Sequence, residues 1–108
     1  EISIDRGVIP VLSTIPDQLN ARGGAVAFYN QAIIDTARAY RVPLWDYWGA
    51  MQSLPNRGLG SDGAHPSVPP GERVQVATFT APNLAFGYTM RNLTALQALD
   101  AVWRQVMH

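Results

Sequence analysis

Apolar residues between positions 25 and 40 recur with the period of an α-helix. They lie three or four residues apart, which places them on one helical face: Val26, Tyr29, Ile33, Ala37 and Tyr40. Asn30, Asp35 and Arg38 fall on other faces, and the preceding stretch 17–24 carries Asp, Asn and Gly residues typical of a loop. The pattern predicts an amphipathic helix over 25–40.

Two short apolar runs lie on either side of this helix. Residues 7–16 are almost wholly apolar and β-branched, and residues 42–48 form a second such run. Runs of this kind are typical of strands buried on both faces of a parallel sheet. The order strand, helix, strand predicts one βαβ unit, with a parallel strand pair and a right-handed crossover.

The rest of the chain predicts a long loop and a closing helix. Residues 52–70 are rich in Gly, Pro, Asn, Ser and Asp, and this loop begins where the second strand ends, at the edge where open α/β sheets place their sites. Residues 73–80 alternate weakly, at Val74 and Val76, which fits a small strand or a flap. A helix over about 83–107 is predicted by a further apolar stripe: Leu93, Leu96, Leu99, Trp103 and Val106.

The predicted sheet is incomplete. A two-stranded parallel sheet has two open edges and is not a stable unit by itself. The chain also opens on Glu1 rather than Met, which is typical of a fragment. We expect residues 1–108 to form part of a single domain, completed by chain upstream or by a second subunit.

Composition and charge exclude several classes of function. With 47% hydrophobic and 15% charged residues, the chain has the composition of a packed domain rather than a disordered one. Eight arginines balance eight acidic residues, so no basic field favours nucleic acid or an anionic membrane, and no apolar run reaches the roughly 20 residues of a membrane span. The absence of cysteine excludes a disulfide framework, a Cys-ligated metal site and a Cys nucleophile.

The candidate chemistry lies in the loop after the second strand, where Asp62 and His65 are three residues apart. A turn of that length can place the carboxylate against the imidazole and fix its tautomer, so that the other ring nitrogen faces outward as a general base. The same spacing also fits an Asx turn or a cap beside a solvated loop histidine. Spacing alone leaves both interpretations open.

Four segments in order resemble the C-terminal half of an SGNH/GDSL hydrolase. They are the run 10–16, Tyr29-Asn30 at the start of the helix, the run 42–46 and Gly58-Leu-Gly-Ser-Asp-Gly-Ala-His-Pro-Ser67. The last resembles the block in which that family carries the acid and base of its catalytic triad. The resemblance implies that Asp62 is the triad acid and His65 the triad base. It also implies an α/β fold, a partial three-layer α/β/α (flavodoxin-like) parallel sheet of which this chain holds only the last two strands and their helices.

The family's other blocks are missing from this chain. There is no Gly-Asp-Ser block with the nucleophile, no oxyanion Gly block and no Gly-x-Asn-Asp block. None of the five serines has the nucleophile's context, and Ser61 and Ser67 are too close in sequence to His65 to share a preorganised oxyanion hole with it. We therefore expect the isolated chain to be inactive or nearly so.

The resemblance implies a serine esterase or acylhydrolase acting on carboxylic esters, without a metal or organic cofactor. The implied partner is a small ester substrate, such as a lipid or an acylated sugar. The chain would pair with its missing N-terminal half or form a homo-oligomer. The alternative is a non-catalytic α/β module that binds a ligand or partner through its aromatic and long-loop surface.

Several other residues leave two interpretations open. Aromatic side chains at 45, 47 and 48 could form a sugar-stacking platform or part of the core. Ser13 and Thr14 could line a pocket or make only local turn bonds. Asn30 could tie the helix to the site loop or be solvated. Phe79, Phe86 and Tyr88 fit either a lid or a cover for the core, and His108 is expected to be frayed.

Overall fold

A pair of short parallel strands joined by a helix forms the centre of the fold. The computed structural model describes residues 2–19, 24–71 and 75–106. Helix α1 (Ile2–Asp5) precedes strand β1 (Leu12–Ser13), helix α2 (Ala25–Tyr40) and strand β2 (Leu44–Trp45). Leu12 pairs with Leu44 and Ser13 with Trp45 in parallel register. The protein is therefore of the α/β class, as predicted, with strands much shorter than the apolar runs that contain them.

Helix α2 has the predicted bounds, but its environment differs from the prediction. It ends where Arg41 adopts a left-handed conformation (φ 54°) and donates its backbone N–H to Ala37 and Arg38. The buried positions of α2 are Asn30 and Ala37, whereas Tyr29 and Tyr40 of the predicted apolar face are exposed. Within the described residues the predicted face is therefore only partly covered, since Ala37 is buried and Val26 and Ile33 are half-buried.

The second strand ends earlier than predicted because a helix begins there. Asp46 caps helix α3 (Tyr47–Met51) by accepting a hydrogen bond from the Gly49 backbone N–H at 3.1 Å. Tyr47 and Trp48 therefore belong to a helix, and assigning them to the strand was wrong. An aspartate at this position is compatible with a strand end as well as with a helix N-cap, and the aromatic residues around Asp46 favoured the strand interpretation.

The predicted loop after β2 is irregular but strongly self-bonded. It contains a 3₁₀ turn (Pro55–Gly58) and an isolated antiparallel bridge between Leu59 and Pro66. No strand occurs at positions 75–80, so this part of the predicted strand or flap over 73–80 is not a strand. Arg73 and Val74, like His108, lie outside the described residues.

The closing helix α4 (Gly87–Val106) follows a 3₁₀ turn (Asn83–Ala85). It packs mainly against α3, β2 and the two 3₁₀ turns. Leu96, Leu99 and Trp103 of the apolar stripe that predicted this helix are exposed, whereas Val102, which lies outside the stripe, is buried. Leu93 of the same stripe is half-buried, so the stripe is only partly covered among the described residues.

The core is small for the apolar content of the chain. Among the described residues, five hydrophobic side chains are buried: Ala37, Tyr47, Met51, Leu59 and Val102. Fourteen large ones are exposed, and Val8, Ile9, Val11 and Ile15 on either side of β1 are among them. The radius of gyration is 15.3 Å, compared with about 13 Å for a compact domain of this length. The expectation that the first apolar run is buried on both faces is therefore wrong within this chain.

No described helix is both long and apolar enough to cross a membrane.

Candidate active site

Asp62 and His65 form a hydrogen-bonded pair within one tight turn. Oδ1 of Asp62 accepts hydrogen bonds from the backbone N–H groups of Ala64 and His65, both at 3.0 Å. Oδ2 lies 2.5 Å from Nδ1 of His65. The two carboxylate oxygens are thus divided between the backbone of the turn and the imidazole ring.

The contacts that each interpretation of the Asp-x-x-His spacing requires are both present. The backbone bonds to Oδ1 are an Asx-type turn, and the ring bond to Oδ2 is the contact that orients a general base. They do not compete, because a carboxylate has two oxygens with about four acceptor sites. His65 is also a solvent-facing loop histidine, with 77% of its side chain exposed.

The hydrogen bonds determine which ring nitrogen carries the proton. The Ala64 backbone N–H, the His65 side chain and the His65 backbone N–H hold the pKa of the Asp62 carboxyl well below its usual range. An ionised carboxylate can only accept, so Nδ1 must donate. Neutral His65 then has its lone pair on Nε2, the arrangement that a proton acceptor needs.

The turn depends on a glycine with a close neighbour. Gly63 has a φ of 70°, and its carbonyl accepts a hydrogen bond from the Leu19 backbone N–H at 2.8 Å. A Cβ at this position would lie 3.0 Å from the Leu19 Cβ. At the base of the turn, Gly60 N–H donates to the His65 carbonyl at 2.7 Å. The segment after β1 therefore holds the Asp62–His65 turn from outside its own loop.

Polar side chains tie the segment after β1 to α3. Buried Asp17 accepts hydrogen bonds from the Trp48 indole N–H at 3.2 Å and the Gln52 amide at 2.9 Å, and Arg57 lies 3.5 Å away. Buried Thr14 donates its hydroxyl to Asp46 at 3.0 Å and accepts the Trp48 backbone N–H at 2.9 Å. These bonds tie the carboxyl ends of both strands to α3.

Asn30 ties α2 to the same segment. Its side-chain amide accepts from the Ile15 backbone N–H at 2.8 Å and donates to the Ile15 carbonyl at 2.9 Å, and the residue is fully buried. Neither interpretation of Asn30 holds as stated, because the side chain is not solvated and the segment it ties to α2 is the one after β1 rather than the site loop. The Asn30 amide satisfies both backbone groups of a residue just beyond the strand end, where no β-ladder partner does so.

The serines near His65 have structural roles or none that the structure shows. Ser67 donates its hydroxyl to the Gly58 carbonyl and accepts the Gly87 backbone N–H at 2.9 Å, so it caps the start of α4. Ser13 donates to the Thr14 carbonyl. Within the described part of the chain no serine is hydrogen-bonded to His65. The expectation that neither Ser61 nor Ser67 is the nucleophile remains a prediction.

The three aromatic residues after β2 are integrated into the fold. Trp45 donates its indole N–H to Thr94 at 2.7 Å, and Tyr47 donates its hydroxyl to the Gly87 carbonyl at 2.9 Å. Burial raises the pKa of Tyr47 to about 12, although the positive charge of Arg91 acts in the opposite direction. With Trp48 bonded to Asp17, all three polar atoms are used internally, which favours the core interpretation over an open platform.

A groove of about 430 Å³ lies beside the turn. It is lined by the strand-end residues Ser13 and Thr14, by Pro66 next to His65, and by Tyr88 and Arg91 of α4. Ser13 and Thr14 therefore both line a groove and make local bonds. Phe79 is exposed and Phe86 half-buried, and neither lines the groove. Arg91 and Asp17 were missed from sequence, because a single arginine on a helix and a single aspartate in a loop carry no motif.

The described residues contain no cluster of three His, Cys, Asp or Glu side chains that could hold a metal ion. Comparisons with protein-family models, with curated proteins and with solved structures found no match to this chain. The candidate site therefore rests on its own geometry.

Proposed function

We propose that this chain supplies the acid and base of an ester hydrolase of the SGNH/GDSL type. The observation that carries the proposal is the geometry of Asp62. Its carboxylate is held by two backbone N–H groups and bonds Nδ1 of His65 at 2.5 Å, which leaves Nε2 as a proton acceptor. A histidine oriented in this way by a fixed carboxylate is the base of an acyl-transfer triad.

The proposed reaction transfers an acyl group through a serine outside this chain. The serine oxygen attacks the ester carbonyl carbon, and Nε2 of His65 takes the hydroxyl proton. The imidazolium, stabilised by Asp62, then gives that proton to the departing alcohol oxygen as the carbon–oxygen bond breaks. Water repeats the sequence on the acyl-enzyme and releases the acid.

The nucleophile-bearing segment is proposed to pair with the free edge of β1. Apolar residues next to β1 are exposed, at Val8, Ile9 and Val11, whereas those beside β2 are half-buried. Unpaired strand edges with apolar flanks accept further strands. Added strands there would extend the parallel sheet and give the three-layer architecture that the resemblance implies.

The experiment compares the isolated chain with the longest natural protein that contains it. With nitrophenyl acetate as substrate, we expect no hydrolysis above background from the isolated chain and measurable hydrolysis from the longer protein. In the longer protein, His65→Ala should lower kcat at least about a thousandfold, because the triad acts as a unit. Arg38→Gln, an exposed change on α2, is the matched control and should leave the rate unchanged.

Two results would overturn the proposal. One is hydrolysis by the isolated chain that His65→Ala removes, because the nucleophile would then lie inside residues 1–108. The other is hydrolysis by the longer protein that survives His65→Ala.

A non-catalytic binding module is the second candidate function. The observation that favours it is the exposed apolar surface on α4, formed by Leu96, Leu99 and Trp103. Patches of this kind mark interaction sites in folded proteins. This candidate predicts a compact, cooperatively melting monomer whose stability does not change when the upstream segment is supplied.

A further inference from the structure

Several polar groups in the walls of the groove beside the Asp62–His65 turn are already hydrogen-bonded within the fold. Thr14 uses its hydroxyl as both donor and acceptor, and the indole of Trp45 and the hydroxyl of Tyr47 each donate within the fold. The walls therefore offer a ligand mainly aromatic and apolar surface. A volume of about 430 Å³ is within the range of small-molecule sites.

Arg91 is the one charged residue among those that line this groove. It takes no part in the ion pairs found among the described residues, which involve Arg57, His65 and Arg104. Arg91 is an exposed residue of α4. Tyr88, Arg91 and Thr94 are three residues apart and share one helical face, and Thr94 at the end of this row is anchored to the Trp45 indole.

We propose that this groove binds the anionic end of the substrate, with Arg91 pairing to a carboxylate or phosphate on an otherwise apolar body. The substrate class is therefore an ester that carries a negative charge away from the bond to be cleaved. Naming it a substrate rests on the proposed function, whereas binding of the anion does not. Guanidinium groups pair with both oxyanions in a bidentate manner, and such charge-assisted bonds are stronger than neutral ones.

The groove adjoins the proposed catalytic turn through Pro66, which directly follows His65. Thr14 and Pro16, at the carboxyl end of β1, line it from the other side. A ligand held there lies at the edge of the sheet at which parallel α/β folds bind substrates. The position thus suits the recognition of a substrate near His65.

The test is a binding titration followed by NMR, with phenylacetate, phenyl phosphate and benzyl alcohol as probes. In the wild-type protein we expect at least one anion to shift the Trp45 indole N–H signal and to bind about tenfold more tightly than the neutral alcohol. The more tightly bound anion distinguishes a carboxylate ligand from a phosphate ligand. Arg91→Gln should remove the preference, and Arg38→Gln, the matched control, should retain it.

Three results would overturn the proposal: equal binding of the alcohol and both anions, a preference that survives Arg91→Gln, or shifts confined to Trp48 and Trp103. The His65→Ala variant separates this proposal from the proposed function. If hydrolysis by the longer natural protein survives His65→Ala but the anion preference remains, the catalytic proposal fails and the anion site stands. If hydrolysis depends on His65 but no anion preference exists, the reverse holds.

Discussion

The Asp62–His65 turn and the flank of β1 differ in how far this chain completes them. In the turn, the carboxylate, the backbone N–H groups and one ring nitrogen are all paired within four residues. Along β1, apolar side chains at Val8, Ile9 and Val11 are exposed, and one strand edge is unpaired among the described residues. Hydrogen bonds are short-range and can be satisfied locally, whereas apolar burial needs a second surface.

The difference shows which part of the proposed site this chain forms by itself and which part another element has to supply. A base and its orienting carboxylate can be prepared by a short turn, but a nucleophile has to be brought by another element. The free edge of β1 and the exposed rows on α2 and α4 are surfaces that such an element could cover. The predictions below test how independent the two regions are.

The largest expected effect is at Asn30, the buried tie between α2 and the segment after β1. Asn30→Ala removes both hydrogen bonds to Ile15 and leaves a small cavity, so it should lower the free energy of unfolding by about 2–4 kcal/mol. Urea denaturation measures the change. Gln31→Ala, which removes an exposed bond to Asp35 on the same helix, should cost less than about 0.5 kcal/mol. Equal costs for the two variants would contradict the assigned role of Asn30.

A smaller effect is expected at Gly63, where the Asp62–His65 turn contacts Leu19 of the segment after β1. Gly63→Ala forces a side chain into the left-handed region and against Leu19, which should cost about 2 kcal/mol and shift the NMR signals of the His65 ring. Gly7→Ala is the matched control, because Gly7 has a φ of 75° and no atom within 4 Å of the added Cβ. It should cost about 1 kcal/mol and leave His65 unchanged. Unchanged His65 signals in Gly63→Ala would show that the turn does not depend on Leu19.

The smallest effect is expected at Tyr47, which links α3 to the start of α4. Tyr47→Phe removes the bond to the Gly87 carbonyl and should cost about 1 kcal/mol at neutral pH. Because burial raises the folded-state pKa to about 12 from an unfolded value of about 10, wild-type stability should fall as the pH rises between these values. The Tyr47→Phe variant should lack the fall in stability that ionisation of Tyr47 causes. Tyr40→Phe, at an exposed position, should retain it. Denaturation at a series of alkaline pH values decides between these outcomes.

Local sequence patterns predicted helix α2 and the order strand, helix, strand well, and the burial of apolar side chains poorly. The period of the apolar residues predicted α2 to its terminal residues, and the Asp-x-x-His spacing gave the pairing of Asp62 with His65 as one of two interpretations. Both features depend on interactions within a few residues. The exposure of Leu96, Leu99 and Trp103 could not be predicted, because periodicity identifies an apolar face without identifying what covers it. Asn30 and Arg91 gain their roles from elements distant in sequence, so neither has a local signature.

The most direct test of the central claim is the tautomer of His65, measured from the imidazole nitrogen and proton signals in NMR spectra. If Asp62 orients His65 as a base, neutral His65 carries its proton on Nδ1, and this preference disappears in Asp62→Asn but persists in Arg38→Gln. A proton on Nε2 in the wild-type protein, or a tautomer that Asp62→Asn leaves unchanged, would contradict the account.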